Sequence, residues 1–298
     1  MASQVFTYIL LFHFHLYIIH AHQFKSIHKI PSPLKFLNQL SGVQKGDNVK
    51  YVSDLKKYLS YLGYLIYNTN SNEQRSEKDN IFDSSVELAL KKYQKFYNLN
   101  ITGTLDANTM VKMQEPRCGM PDFYRPDKSA VFPFHMISYY SFFPGHPKWR
   151  KKKLKYAFNR NMKEELKPPL EHALSEWASA TPFRFSRVSN LSQADIKISF
   201  FRGYHGDGQP FGSKDAGLAH TFAPPDGRVH FDAAQKWSSK GEKDAYDVQT
   251  VGLHELGHAL GLGHTRILKA VMYPIVHEGE RKGLHEDDIN GIKALYKF

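Results

Sequence analysis

The sequence predicts a small helical module followed by an α/β or α+β layer structure. Three observations carry this. Apolar residues recur at helical spacing in two stretches of the first half. Strand-like and helix-like segments then alternate between residues 154 and 231. Two helix-like stretches, 244–260 and 285–298, close the chain. A chain of 298 residues fits two domains at about 150 residues each. Hydrophobic residues at 41% and charged residues at 23% exclude disorder as the main state.

In the first module, Val52, Leu55, Leu59 and Leu62 fall at i, i+3, i+7 and i+10, one stripe of a helix over residues 48–63. Val86, Leu90, Tyr93 and Tyr97 repeat that stripe over 84–97. A third helix is expected near 106–113, after a Gly103-Thr104 turn. The polar stretch 68–80 between the first two is a loop. Together they make a three-helix bundle over residues 45–114. Residues 116–147, rich in Pro, Gly and aromatics without a period, are an extended connector.

The second module opens on a strand at 154–158. The basic cluster at 150–153 is its solvated start, since no nucleic-acid-binding motif accompanies it. A helix follows at 169–178, with Pro169 in its first turn and Leu170, Leu174 and Trp177 on one face. Residues 196–200 alternate as a strand does, and two short strands are expected at 217–221 and 229–231.

Residues 5–19 (VFTYILLFHFHLYII) are too short for a comfortable span, which needs about 20 residues, but fit a signal-peptide core with Ala21 near the cut. Residues 1–22 are therefore read as a signal peptide, with a buried N-terminal helix as the alternative. Asn100 and Asn190 open glycosylation sequons. The net charge of +11 is compatible with anionic partners and selects none. A single cysteine excludes an internal disulfide framework and a Cys-rich zinc finger.

The strongest chemical signal is His254-Glu255-Leu256-Gly257-His258. On a helix, residues four apart share a face, so His254 and His258 can grip one zinc ion. Glu255 is rotated away and can act as general base on a water. Gly261 permits the sharp turn that returns His264 as a third ligand. Three protein ligands leave a fourth position open, which is the catalytic pattern. Upstream, His205, Asp207, His220 and His230 can complete a closed tetrahedral site. The bland alternative is a polar surface that collects His and Asp without a metal.

The full H-E-x-x-H-x-x-G-x-x-H pattern, followed by Met272-Tyr273-Pro274, resembles the metzincin metallopeptidases and, within them, the matrixins. The resemblance implies a twisted, mostly parallel five-stranded sheet with three helices, preceded by the helical propeptide bundle. It implies that Met272 is the Met-turn beneath a catalytic zinc. Pro116-Arg117-Cys118-Gly119-Met120-Pro121-Asp122 resembles the family's cysteine switch. Cys118 would then hold the zinc's fourth position in a latent zymogen, braced by Arg117 and Asp122. An activating protease or self-cleavage would cut within 136–148, giving a propeptide at 23–142 and a catalytic domain at 143–298.

The His205, Asp207, His220 and His230 positions match the family's structural zinc. Calcium should bind weakly or not at all: Asp232 remains and Asp215 could add an oxygen, but Gly212 and Ala234-Gln235 stand where the family has carboxylates. Leu218 and Ala219 would pair with an extended substrate, and Val276 would line the pocket for a hydrophobic residue after the cut. The implied activity is endopeptidase action by a secreted monomer on extracellular proteins, without nucleic acid. The chain ends after its last helix with no hemopexin-like module, as in plant-type members. A dead relative that only binds protein or wall glycan, and a wall-glycan hydrolase, remain as other readings.

Overall fold

Several helices begin here where an aspartate can take up free amides. In the computed structural model, which describes residues 32–67, 77–124, 139–212 and 217–298, helix α1 spans Val52–Tyr61, α2 Ser84–Phe96 and α3 Ala107–Gln114. Asp83 caps α2 by accepting from the Ser85 and Val86 amides at 2.8 and 3.1 Å. Asp106 caps α3 through the Thr109 amide at 2.8 Å. Leu55, Leu59, Val86, Leu90 and Tyr93 from the two stripes share one core. That core holds more than the three expected helices. A 3₁₀ helix, Ser32–Leu40, adds Leu34, Leu37 and Leu40 to it. Their spacing of three is the 3₁₀ period, so a search at 3.6 passes over it. The signal segment 1–22, Asp215 and residues 136–138 of the cleavage window lie outside the described residues.

The second module holds β1 (Lys153–Phe158), α4 (Lys167–Ala180), β2 (Arg184–Arg187), β3 (Ile196–Phe201), β4 (Ala219–Thr221) and β5 (Arg228–Asp232). They form a five-stranded sheet of order β2-β1-β3-β5-β4. Every pairing is parallel except β4 on β5, where His220 faces His230. Edge strand β2 had no sequence signal: its four residues are mostly exposed and carry no apolar alternation.

Two further strands, β6 (Trp237–Ser238) and β7 (Tyr246–Asp247), pair with each other. They correct the helix expected from residue 244. Helix α5 spans Val248–Ala259, because Asp247 stays extended and accepts from the Thr250 amide at 2.9 Å. Helix α6, Glu286–Tyr296, is the third α-helix of this module among the described residues.

Packing then fixes the height of α5. Leu170 and Trp177 of α4 lie against it, and the Trp177 indole donates to the Leu253 carbonyl at 2.8 Å. On its other side a Cβ at Gly257 would stand 2.3 Å from Met272 Sδ. Only glycine lets the Met272 loop come this close. Tyr273 and Ile275, just after Met272, belong to the core of the helical bundle. The first module is thereby packed onto the loop beneath the histidine helix.

Candidate metal centre

His254 and His258 lie one turn apart on α5, both fully buried. The Nδ1 atoms lie 2.6 Å from the Val271 carbonyl oxygen and 2.8 Å from the Leu262 carbonyl oxygen, respectively. A carbonyl only accepts, so each Nδ1 carries the proton and each Nε2 keeps its lone pair. Gly261 takes φ of 103°, and a Cβ there would stand 2.4 Å from the Pro147 carbonyl oxygen. This turn brings His264 back, and its Nδ1 lies 3.1 Å from Asp122 Oδ1. Burial lowers the pKa of all three imidazoles, which keeps them neutral and ready to donate electrons.

The remaining ring atoms converge. His258 Nε2 is 3.2 Å from His264 Nε2 and 3.5 Å from Cys118 Sγ. A tetrahedral zinc with bonds of about 2.05 Å to nitrogen and about 2.3 Å to sulfur needs edges of roughly 3.3 and 3.5 Å. His254 Nε2 is buried without a hydrogen-bond partner, an orphan that an ion in this position would satisfy. Cys118, His254, His258 and His264 thus fit a zinc ion in donor type, number and spacing. Burial, then the nearby Glu255 carboxylate, push the Cys118 thiol up, so a cation is what would make it a thiolate.

Backbone pairing holds Cys118 in place. Leu218 N–H donates to the Arg117 carbonyl at 2.8 Å, and Gly119 N–H to the Ala219 carbonyl at 2.7 Å. On the opposite side Cys118 N–H donates to the Pro274 carbonyl at 2.8 Å, and Val276 N–H to the Pro116 carbonyl at 3.2 Å. The segment lies as a strand between the three residues expected to meet substrate, Leu218, Ala219 and Val276. A Cβ at Gly217 would stand 2.1 Å from Gly119 N, so the approach tolerates no side chain there. Arg117 and Asp122 form a buried pair with Nη2–Oδ1 at 2.7 Å and Nη1–Oδ2 at 3.3 Å. Burial opposes ionisation of Asp122, but Arg117 and His264 outweigh it and hold its pKa low. Tyr64 and Tyr97 of the bundle also donate to Asp122, at 2.8 and 2.9 Å, and the Tyr61 hydroxyl donates to the Gly119 carbonyl.

Glu255 is fully buried beside His254. Burial raises its pKa to about 7, against the pull of Thr221 and Cys118. Met272 lies under Gly257 and is itself buried. Its loop is held by Asp288, which accepts from the Val271 and Met272 amides at 2.9 and 3.1 Å. Sequence reading missed Asp288. Its one local signal is the His285-x-x-Asp288 capping spacing at the start of α6.

A second group joins His205, Asp207, His220 and His230. Asp207 Oδ2 lies 2.8 Å from a ring nitrogen of each histidine. Three imidazoles on one carboxylate oxygen exceed its two lone pairs, whereas a shared cation satisfies all four donors. Burial lowers the His230 pKa to about 4, leaving it neutral. Asp232 stands apart from both groups: its carboxylate accepts from the Ala234 amide at 2.9 Å and the Gln235 side chain at 2.7 Å. Asn100 and Asn190 are both exposed, and Asn190 Oδ1 accepts from the Ser192 amide at 3.0 Å.

Comparison with known proteins matches residues 148–297 to the family described as Matrixin, and residues 48–113 to a peptidoglycan binding domain family. The chain is 37% identical to Metalloendoproteinase 5-MMP of Arabidopsis thaliana, over 97% of this chain and 85% of that one. It is 38% identical to Metalloendoproteinase 1 of Glycine max, over 84% and 83%. Interstitial collagenase of Sus scrofa is 36% identical over 82% of this chain but only 49% of its own length.

Proposed function

Since this chain is a metalloendopeptidase that belongs to the matrixin family, we propose that it is made as a secreted, latent proenzyme and acts on extracellular proteins once its first module is removed. In this reading residues 1–22 are a signal peptide, 23–142 the propeptide and 143–298 the catalytic domain. One observation carries the latency: Cys118 Sγ sits among the three imidazoles while its own backbone fills both sides of the cleft. The uncut chain excludes water and substrate together. Residues 144–146, within the expected cleavage window, form an exposed turn that a protease can reach.

His254, His258 and His264 would hold the catalytic zinc. When bound, that ion supplies Lewis acidity, which favours deprotonation of water and polarises the scissile carbonyl. Glu255 takes the proton from the attacking water and later delivers it to the leaving amine. Leu218 and Ala219 hold the substrate backbone with the hydrogen bonds that Arg117 and Gly119 use in the latent form. Val276 lines the pocket for the hydrophobic residue after the cut. His205, Asp207, His220 and His230 would hold a structural zinc that ties the preceding loop to β4 and β5. Asp232, already capping a turn, leaves calcium weakly bound or absent. Asn100 and Asn190 are open to glycosylation, and the protein works as a monomer without nucleic acid.

The test is digestion of casein or gelatin by the full-length chain, before and after limited proteolysis, with Cys118→Ser and Glu255→Ala alongside. Uncut Cys118→Ser should be active where uncut wild type is silent. Glu255→Ala should keep its zinc yet lose nearly all turnover. A silent uncut Cys118→Ser with full zinc content would refute the latch.

A further inference from the structure

We propose that Thr221 is a positioning residue for Glu255, assigning one carboxylate oxygen to proton transfer by occupying the other. The Thr221 hydroxyl donates to Glu255 Oε2 at 2.6 Å, and both side chains are fully buried. The second oxygen, Oε1, is buried with no hydrogen-bond partner. Residues 34 apart in sequence meet here because β4 packs against α5.

Strand alternation divides the work of β4. Ala219 and Thr221 point to one face and His220 to the other. Ala219 offers its carbonyl to the cysteine segment, and His220 joins the second metal group. Thr221 is left facing the helix that carries Glu255. A valine would fill the same volume, so packing alone does not call for a hydroxyl in this position. A hydroxyl has one proton, and a carboxylate can only accept it. That proton is committed to Oε2.

A carboxylate turns broadly about its last torsion. The Thr221 bond removes that freedom. Oε1 is then the atom that receives the water's proton as the water O–H bond breaks, and the atom that returns it to the leaving nitrogen. The inference rests on Glu255 being the general base.

The experiment uses the full chain processed by limited proteolysis, with kcat and KM measured on a fluorogenic peptide and zinc content on each sample. Thr221→Val keeps the shape without the hydroxyl, Thr221→Ser keeps the hydroxyl, and Thr221→Ala lacks both. Loss of a hydrogen bond to a charged group predicts a fall in kcat of about 10- to 100-fold for Val and Ala. KM should move less than about threefold, zinc should be unchanged, and Ser should recover kcat to within about threefold. Val retaining the wild-type kcat, or Ser falling as far as Ala, overturns the proposal. Should Val fail to fold, the Ser and Ala pair decides in the same way. Glu255→Gln is run in parallel. If it keeps its turnover, the general-base reading itself fails. If it is dead while Thr221→Val is unimpaired, only the role of Thr221 falls.

Discussion

Replacing Arg117 with Ala should open the uncut enzyme without touching the cysteine. Arg117 makes five hydrogen bonds: two to Asp122, and one each to the Met120 carbonyl, the Cys118 carbonyl and the Tyr97 hydroxyl. Asp122 has no exposed side-chain surface. Removing one partner of such a buried pair costs about 3–5 kcal/mol, because the other charge is left uncompensated. Tyr64, Tyr97 and His264 still contact Asp122, so the lower end applies. At about 1.4 kcal/mol per factor of ten, the docked-to-open equilibrium constant should fall on the order of 100-fold. The assay is the rate at which a maleimide labels Cys118 in uncut, zinc-loaded protein, followed by mass. Wild type should label slowly, because the thiol is buried. Arg117→Ala should label on the order of 100-fold faster and digest casein uncut. Arg117→Lys should fall between, since an ammonium cannot reproduce the planar two-bond fork. Equal labelling of wild type and Arg117→Ala would show that the ion pair does not hold the latch.

Three more outcomes follow from the geometry. Gly257→Ala places a methyl 2.3 Å from Met272 Sδ and 3.1 Å from the Trp177 ring; overpacking should cost about 1–3 kcal/mol, read as a lower Tm and weaker zinc retention, and an unchanged Tm would contradict the packing account. Asp83 is the α2 cap: burial raises its pKa, but the Ser85 hydroxyl, Lys56 and the Val86 amide bring it down to about 2 from an ordinary 3.8. Its folded pKa lies below its unfolded one, so its stabilisation is complete above about pH 4 and is lost as pH falls toward 2. Asp83→Asn should flatten that limb in denaturant titrations of the full chain between pH 5 and 2.5; an identical limb in both proteins would discount this carboxylate. Asp207→Ala removes the group that three histidines share, and elemental analysis should find one equivalent of zinc fewer, with the catalytic zinc retained; unchanged stoichiometry would leave the second group without a metal.

The parts of this protein legible in its sequence are those governed by short-range periodicity. Four residues make about one helical turn, so His254 and His258 had to share a face, and Gly261 had to end the helix with a backbone that a side chain would strain. The stripes of α1, α2 and α4 were legible for the same reason. The family match agrees with the metzincin-type sheet and helices that those motifs implied. Elements with weak local pattern were not legible. Strand β2 is short and exposed, the 3₁₀ helix Ser32–Leu40 repeats every three residues, and Tyr246–Asp247 look helical until Asp247 is seen to cap.

Tertiary structure alone decided which distant partners support the site residues. Asp122 reaches His264 across 142 residues, and Asp288 reaches the Met272 loop across 16. Thr221 reaches Glu255 only because β4 lies on α5. Such contacts depend on how sheets and helices stack, and no local spacing encodes that. The sequence named the residue types of the candidate metal centres and their order along the chain. Folding chose their buried partners, and those partners set the orientation and protonation on which the chemistry depends.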